Sequence, residues 1–319
     1  MEPDPTAPAL PPAPAGRKSA LAFFAVLLGL FLPGLLAQGL HVVAGLLWTE
    51  LFVFGLPAFV LASGSNLEPR VYLALGRVRP SLLGLGALVG AAGTVLAVGV
   101  MSFAQRILPP EWLKTFDVAK LFEGPRWERL ALVAIATFVA PVCEELAFRG
   151  YLESTLLSRR RPGLAIGTAA LLFATIHLDP VRFLALLALG AVFGWLRWRS
   201  GSVWPAVAAH AANNGLVSLV ALAAPSIPRD EAPASLRDIG LAVALGLAAL
   251  LPLVSAFAAA SPPAGAPEAL LVRRDPSDPS IRFRWSRVAR GLQLATLGGA
   301  SLLLVGLFTA ILVAFLRRT

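Results

Sequence analysis

Charged residues are scarce in this chain. They make up 14% of its 319 residues, while 57% are hydrophobic, and an ordinary soluble domain carries about 25% charged residues. The composition therefore excludes a typical soluble globular protein. The apolar stretches are long and continuous rather than alternating, which also excludes a β-barrel. We predict an all-α fold, a polytopic transmembrane helical bundle, because a bilayer requires backbone polar groups to pair within helices.

Cysteine is almost absent, since Cys143 is the only one. A single cysteine excludes an internal disulfide. The net charge of +9 does not indicate nucleic-acid binding, because the basic residues cluster between the apolar stretches, where they set topology and contact anionic lipids. We expect the lipid bilayer as a partner and no nucleic acid. The sequence leaves the oligomeric state open.

Three familiar protease signatures are also missing. None of the three histidines is followed by the glutamate of an HExxH zinc motif, and no GxSxG occurs. No aspartate lies well inside an apolar stretch, which argues against an intramembrane aspartyl protease. These absences exclude the HExxH zinc proteases and the nucleophile-elbow serine hydrolases.

Apolar runs of about 20 residues are long enough to span a bilayer. We predict about nine spans (eight or nine), at 19–39, 42–63, 81–103, 130–152, 162–178, 181–197, 203–224, 238–259 and 291–316. Arginines concentrate in alternate loops, for example Arg77 and Arg79 in one loop and Arg160 and Arg161 in the next. By the positive-inside rule, this alternation predicts a cytoplasmic N-terminus.

The chain divides into four parts. Residues 1–18 form a Pro- and Ala-rich tail that we expect to be disordered. Residues 19–125 hold the first membrane helices and an outer loop, 126–224 hold the core with most of the polar residues in spans, and 225–319 hold the last helices with a basic cytoplasmic loop at 261–290. Abundant Arg and Ala favour a bacterial source, and we predict an integral protein of the bacterial cytoplasmic membrane.

A glutamate pair lies inside the fourth predicted span. An ionisable side chain there costs roughly 2.5–3.5 kcal/mol, so it is rarely present without a use. Glu145 and Arg149 are four residues apart and share a helix face, and Glu153 is one further step along it. Glu144 points about 100° away from Glu145, given 3.6 residues per helical turn. A carboxylate withdrawn from water becomes more basic, so Glu144 could act as a general base. Alternatively, both glutamates could serve only as structural partners of Arg149.

Two further pairs repeat this spacing. Phe173 and His177 lie one helical turn apart, so the phenyl ring can pack beneath the imidazole. His210 and Asn214 have the same separation, and Asn213 adjoins them. Glu144, His177 and His210 could hold a metal with an open fourth position, or act as base and proton partners without one. Asn214 could donate a hydrogen bond to a developing oxyanion. In our spans His177 lies near the outer end, away from Glu144 and His210, so convergence requires tilted or broken helices around a cavity.

The motifs EExxxR, FxxxH and HxxxN follow one another in successive apolar segments. Their contexts are EELAFRGYL at 144–152, LLFATIHL at 171–178 and SGSVWPAVAAHAANN at 200–214. Together they resemble the CAAX protease and bacteriocin-processing (CPBP, or Abi) family, which includes the type II CAAX prenyl endopeptidases. The resemblance covers about 126–224.

This resemblance implies an intramembrane endopeptidase acting on a membrane protein or peptide. It implies Glu144 as the catalytic base, Glu145 and Arg149 as its support, and His177, His210 and Asn214 as the rest of the site. Both a zinc metalloprotease and a metal-free glutamate protease are consistent with it. Whether the substrate is prenylated stays open.

Two other functions are compatible with a helical membrane protein of this kind. A non-catalytic membrane scaffold or bacteriocin-immunity protein could retain the fold, although it would need no paired His210 and Asn214. A transporter would spread polar residues over repeated halves, whereas here they concentrate in three spans. Glu50 is a further glutamate in an apolar run, and we predict a structural hydrogen bond for it rather than a place in the site. Cys143 is predicted to pack rather than to react.

Overall fold

The computed structural model describes residues 16–64, 68–158, 160–223 and 234–261. Every regular element in these ranges is helical and none is a strand. Six of the helices are long and apolar enough to cross a membrane, and two shorter apolar helices accompany them. The protein is therefore an all-helical integral membrane protein. The count of nine spans and the cytoplasmic N-terminus stay predictions. The predicted span at 291–316 lies outside the described residues, as do residues 262–290 of the predicted loop 261–290 and residues 1–15 of the predicted tail 1–18. Residues 16–18 of that tail are the first residues of a helix.

The long helices follow the predicted apolar runs closely. We number them α1 (Gly16–Leu40), α2 (Val42–Ser63), α3 (Pro80–Ile107), α4 (Arg126–Leu157), α5 (Pro162–Ile176), α6 (Phe183–Ser200), α7 (Trp204–Ala223) and α8 (Leu236–Ala260). Shorter helical pieces at Pro69–Tyr72, Pro110–Thr115 and Val118–Phe122 connect them.

Local chemistry sets several of the helix ends. Pro80 and Pro162 begin α3 and α5, since proline at the first helical position lacks only an N–H that would be unpaired there. Gly201 ends α6 with a φ of 71°, a left-handed conformation that glycine adopts without strain. Ser235 begins α8, where its hydroxyl accepts a hydrogen bond from the amide of Asp238 at 3.1 Å. These signals separate helices that composition alone would merge.

The helices pack into two apolar cores. The first core joins α1, α2, α4 and α5 around Phe23, Phe148 and Phe173. The second core joins α3, α6, α7 and α8 around Phe193 and Phe257. The two helices that carry most of the expected site residues, α4 and α7, contact each other directly, so the site lies between the two cores.

The close approach of α3 to α7 depends on Gly90. A Cβ atom built on Gly90 would lie 1.9 Å from the carbonyl oxygen of Ala209, the residue before His210. Small residues at such crossings let helix backbones approach closely in membranes. The absence of a side chain at Gly90 therefore permits the position of the α7 backbone beside α3.

Three wide turns interrupt the regular helices. The π-helical segments are Glu50–Gly55 in α2, and Ile135–Val139 and Leu146–Glu153 in α4. A π turn holds one extra residue, and such turns occur often at functional sites. Here all three adjoin or contain the polar residues predicted from the sequence.

Candidate active site

Glu144 lies on the helical turn Ala140–Glu145, between the two π-helical segments of α4. The residue is buried, and its Oε2 atom has no hydrogen-bond partner among the described residues. Glu144 also lines the cavity described below. An unpaired buried carboxylate oxygen is costly, so this atom is available to a ligand such as water.

Glu145 and Arg149 form a fully buried ion pair beside Glu144. Arg149 Nη1 donates to Glu145 Oε1 at 2.9 Å, and Arg149 Nη2 donates to the carbonyl of Gly190 at 3.0 Å. Both side chains have 0% exposure. The predicted contact between Glu145 and Arg149 is therefore present. The bond from Arg149 to Gly190 links α4 to α6.

Two aromatic rings enclose the guanidinium group of Arg149. Its Cζ atom lies 4.4 Å from the centroid of Phe173 and 5.7 Å from that of Phe193. Desolvated cations over aromatic faces gain attraction from the ring quadrupole. Phe173 also contacts His177 and His210, with centroid distances of 4.8 Å and 5.8 Å. Phe173 thus packs against three of the polar site residues, beyond the single contact with His177 that the sequence predicts.

Each histidine of the site is oriented through its Nδ1 atom. His210 Nδ1 lies 2.9 Å from Glu145 Oε1, and its Nε2 lies 3.9 Å from Glu144 Oε2. His177 Nδ1 lies 2.7 Å from the carbonyl oxygen of Phe173. Because a carbonyl only accepts, the Nδ1 atom of His177 carries the hydrogen. In neutral His177 the Nε2 atom is then an acceptor, suited to hold a water molecule.

Asn214 and Asn213 form a chain of hydrogen bonds at the cavity wall. Asn214 Nδ2 donates to the carbonyl of Ala136 at 3.0 Å, and Asn213 Nδ2 donates to Asn214 Oδ1 at 3.1 Å. Ala136 belongs to the π-helical segment Ile135–Val139. This contact fixes Asn214, on α7, against α4.

Some of the site residues face a cavity of about 400 Å³ inside the bundle, whereas Glu145, Arg149 and His210 are not among its lining residues. Glu144, His177, Asn213 and Asn214 line it, and most of the remaining wall is apolar. The helix α5 ends at Ile176, and His177 follows directly at the cavity. The sequence places His177 at a different depth in the membrane from Glu144. In the structure α5 is short and His177, just after its end, lines the same cavity as Glu144.

Glu153 differs from the sequence expectation. Its carboxylate oxygens have no hydrogen-bond partner among the described residues, and its nearest ion-pair contact is Arg197 Nε at 4.0 Å rather than Arg149. The four-residue spacing makes it possible for Glu153 to continue the pair of Glu145 and Arg149, and this continuation is not formed. The reason is the π-helical segment Leu146–Glu153, because a wider turn removes the alignment of residues four apart.

Two residues of the cavity wall were not predicted as part of the site. Glu50 was expected outside it, and Thr94 was not expected at all. Glu50 is 3% exposed and lines the same cavity as Glu144. Glu50 therefore lies at the site cavity rather than apart from it, and its Oε2 atom has no hydrogen-bond partner among the described residues. Thr94 on α3 also lines the cavity. A glutamate in an apolar run was the signal for Glu50, whereas a threonine in a membrane helix gives none.

Three positions outside the site are informative. Cys143 is buried and packs in the first apolar core, consistent with the predicted packing role. Asp179 Oδ1 accepts hydrogen bonds from the amides of Val181 at 2.9 Å and Arg182 at 3.0 Å, so it caps the turn that leads into α6. His41 is exposed and accepts a hydrogen bond from the amide of Ala44 at 3.4 Å, away from the site.

Glu144, His177 and His210 are the residues that the sequence offers as ligands of a metal. Within the described ranges, no group of three or more His, Cys, Asp or Glu side chains is arranged to hold a metal ion. Zinc requires ligand atoms at about 2.0–2.3 Å in a tetrahedral set. Glu144, His177 and His210 do not form such a set in this arrangement.

The arrangement brings together groups suited to hydrolysis. A carboxylate with a free oxygen, a histidine with a free ring nitrogen and a carboxamide donor face one largely apolar cavity. A base, a proton partner and an oxyanion donor are the groups that acyl transfer to water requires. The low dielectric of the surroundings strengthens each electrostatic contact between them.

Comparison with known proteins is consistent with this chemistry. Residues 126–216 match the protein family described as Type II CAAX prenyl endopeptidase Rce1-like. No curated protein and no solved structure matches the chain. The matched segment runs from the start of α4 into α7 and contains Glu144, His177 and Asn214. The resemblance to the CAAX protease and bacteriocin-processing family, which rests on the three motifs, is thus confirmed over residues 126–216.

Proposed function

We propose that this protein is an intramembrane endopeptidase that hydrolyses a peptide bond of a membrane-associated protein or peptide. One observation carries the proposal: the free carboxylate oxygen of Glu144 shares one apolar cavity with His177 and Asn214. Peptide hydrolysis inside a membrane needs a place where water and a base meet out of contact with lipid. The cavity between α4, α5 and α7 provides that place.

Glu144 is the general base and then the general acid of the proposed reaction. Its carboxylate removes one proton from a water molecule, and the hydroxide oxygen forms a bond to the carbonyl carbon. The resulting tetrahedral oxyanion accepts a hydrogen bond from the carboxamide of Asn214. When the carbon–nitrogen bond breaks, the proton held by Glu144 passes to the leaving amine. Both roles are typical of a positioned carboxylate in a desolvated site.

The two histidines have separate proposed roles. His177 accepts a hydrogen bond from the attacking water through Nε2, because its Nδ1 is already bonded to Phe173. His210 Nε2, at 3.9 Å from Glu144 Oε2, is the proton partner of the base. Glu145 and Arg149 support the site by holding His210 and by joining α4 to α6.

A reporter assay tests the proposal directly. The probe is a fluorogenic peptide with a farnesylated C-terminal CAAX sequence in phosphatidylcholine vesicles that contain the purified protein, alongside the same peptide without the lipid. Hydrolysis in ¹⁸O-labelled water places one labelled oxygen in the new carboxyl group, which mass spectrometry detects. We expect Glu144→Gln to abolish cleavage while thermal unfolding stays close to that of the wild type.

Glu153→Gln is the matched control. It also removes a buried carboxylate from α4, but Glu153 is not among the cavity-lining residues and pairs with Arg197. We expect this variant to cleave the reporter. Normal turnover by Glu144→Gln would overturn the site assignment, and failure of the wild type on both peptides would favour the non-catalytic scaffold.

Metal dependence is a separate question with its own test. If Glu144, His177 and His210 bind zinc, purified protein contains about one zinc per chain, and His177→Ala with His210→Ala removes it. A chelator then abolishes turnover and added zinc restores it. If cleavage proceeds with no bound metal, the glutamate mechanism above stands. Mass spectrometry of the purified protein supplies a readout that does not depend on activity.

We also propose that the protein lies in a bacterial cytoplasmic membrane with its N-terminus on the cytoplasmic side. The single cysteine makes this testable, because Cys143 is buried and can be replaced by serine. In that background, a maleimide that cannot cross the membrane should label Lys114→Cys in intact spheroplasts and Arg77→Cys only after lysis. The reverse pattern would invert the topology.

A further inference from the structure

A row of three hydrogen bonds leads from α3 to α4 through the two asparagines of α7. Thr94 Oγ1 donates to Asn213 Oδ1 at 3.0 Å, Asn213 Nδ2 donates to Asn214 Oδ1 at 3.1 Å, and Asn214 Nδ2 donates to the Ala136 carbonyl at 3.0 Å. Asn213 is 8% exposed and Thr94 is half-buried. The row therefore runs along the cavity wall with little exposure to solvent.

The direction of this row is fixed by its last member. A backbone carbonyl can only accept, so Asn214 must present its nitrogen to Ala136 and its oxygen to Asn213. Asn213 must then donate its nitrogen to that oxygen and turn its own oxygen toward Thr94. Asn213 Oδ1 then needs a hydrogen-bond donor, and the hydroxyl of Thr94 supplies it. A reversed carboxamide at Asn214 would place oxygen against oxygen at Ala136.

The fixed direction determines what Asn214 offers to the cavity. A carboxamide nitrogen carries two hydrogens, and Asn214 gives one of them to Ala136. The other is available to the cavity that Asn214 lines. The row thus makes Asn214 a donor there, which is what a developing oxyanion needs.

We propose that Thr94 is a positioning residue that, through Asn213, holds Asn214 as the hydrogen-bond donor of the active site. This inference rests on the proposed function, because the donor matters only if an oxyanion forms in the cavity. Thr94 lies on α3, outside the matched residues 126–216. The close approach of Gly90 to Ala209 brings α3 near enough for the hydroxyl to reach α7.

The hydroxyl of Thr94 has a second acceptor within reach. Its Oγ1 lies 3.1 Å from the carbonyl of Gly90, one turn earlier in the same helix. Such bonds back to the helix are common for threonine. The experiment must therefore separate the bond to Asn213 from the bond to the helix.

Thr94→Val removes the hydroxyl and keeps the side-chain shape. We expect kcat on the farnesylated CAAX reporter to fall about three- to tenfold, as for the loss of one neutral hydrogen bond, while KM stays nearly unchanged. Thr94→Ser keeps a donor and should restore most of the activity. Equal losses in the valine and serine variants would show that the methyl group matters instead, and would overturn the proposal.

Thr175→Val is the matched control for the bond to the helix. Thr175 is exposed, and its hydroxyl bonds to Leu171 one turn earlier at 2.8 Å. We expect this variant to keep its turnover. We also expect Thr94→Val to add nothing, within about twofold, when Asn214 is already alanine, since residues that act through one another are not additive. An unchanged loss in that background would mean that Thr94 acts independently of Asn214.

A measurement without turnover completes the test. The chain has three asparagines, Asn66, Asn213 and Asn214, so asparagine labelled with ¹⁵N gives three side-chain amide pairs by NMR. Thr94→Val should shift the pairs of Asn213 and Asn214 and leave that of Asn66 in place. Unchanged signals would overturn the positioning role even if Glu144→Gln is inactive as expected. If instead Glu144→Gln keeps normal turnover, or the wild-type protein cleaves neither peptide, the proposed function fails. The catalytic role of the hydrogen-bonded row then fails with it, whatever the NMR signals show.

Discussion

The imidazole of His210 and the guanidinium of Arg149 share a single acceptor, Oε1 of Glu145. Each lies 2.9 Å from that oxygen. One carboxylate therefore holds a side chain of its own helix, α4, and a side chain of α7. Because Arg149 also donates to Gly190 on α6, this group of charges joins three helices behind the cavity.

Arg149→Ala should lower both stability and activity. It leaves Glu145 as a buried carboxylate without its ion-pair partner, and breaking a buried pair costs about 3–5 kcal/mol. Thermal unfolding in detergent should show a clear loss, and the reporter turnover should fall. An alanine variant with wild-type unfolding would contradict the structural role assigned to this pair.

The control for this prediction removes both charges together. Arg149→Met with Glu145→Gln leaves neither partner of this pair as an unpaired buried charge, and replacing a buried pair by neutral groups is often tolerated. We expect the double variant to unfold at a higher temperature than Arg149→Ala. Its turnover should stay low, because a glutamine no longer provides a carboxylate for His210.

Asn214→Ala should reduce kcat with little change in KM. The loss of one oxyanion donor costs about 10²- to 10³-fold in kcat, since the donor acts mainly in the transition state. Steady-state kinetics on the reporter peptide measures the two constants separately. A variant in which KM rises and kcat is kept would instead make Asn214 a substrate-binding residue.

Gly90→Ala and Gly84→Ala test the helix crossing with two substitutions on α3. At Gly90 the added carbon would meet the Ala209 carbonyl at 1.9 Å, whereas nothing lies within 4 Å of the carbon at Gly84. Overpacking of this kind costs about 1–3 kcal/mol, and the backbone next to His210 must move. We expect Gly90→Ala to lose stability and turnover and Gly84→Ala to retain both. Equal behaviour of the two variants would show that α3 and α7 do not cross at Gly90.

Glu50→Gln should stabilise the protein. Glu50 and Glu144 face each other while buried, and an amide supplies a hydrogen-bond donor to Glu144 without a second buried charge. Burial of an ionised group is costly, so thermal unfolding should move to higher temperature. A lower unfolding temperature would mean that the Glu50 carboxylate has a favourable partner that an amide cannot replace.

Much of the fold was predictable because a run of about 20 apolar residues identifies a helix that can span a bilayer. The runs at 42–63 and 203–224 fall on α2 and α7 almost residue for residue. The sequence predicts the fourth span at 130–152, whereas α4 extends over Arg126–Leu157. The first turn of α4 contains the charged residues Arg126 and Glu128, and a polar helix end cannot be found by counting apolar residues.

The motifs brought together the residues that the structure also places together, although their chemical roles stay predictions. Spacing of four residues indicated the contact of Glu145 with Arg149, which is present at 2.9 Å. The same spacing failed for Glu153, which lies together with Arg149 in the π-helical segment Leu146–Glu153. Thr94 could not be predicted, since its contact with Asn213 depends on how two helices distant in sequence cross.

The π-helical segment Leu146–Glu153 sets the rotational phase of everything that follows it in α4. A turn with one extra residue displaces the later side chains by about 100° around the helix axis relative to a regular α-helix. Deleting one residue from this segment after Arg149 would therefore not merely shorten α4. It would turn Thr155, whose hydroxyl now bonds that of Tyr72 at 2.7 Å, away from its partner while leaving Glu144, Glu145 and Arg149 in place. The end of α4 would then lose its bond to the short helix Pro69–Tyr72, although the charged residues of the site would keep their positions.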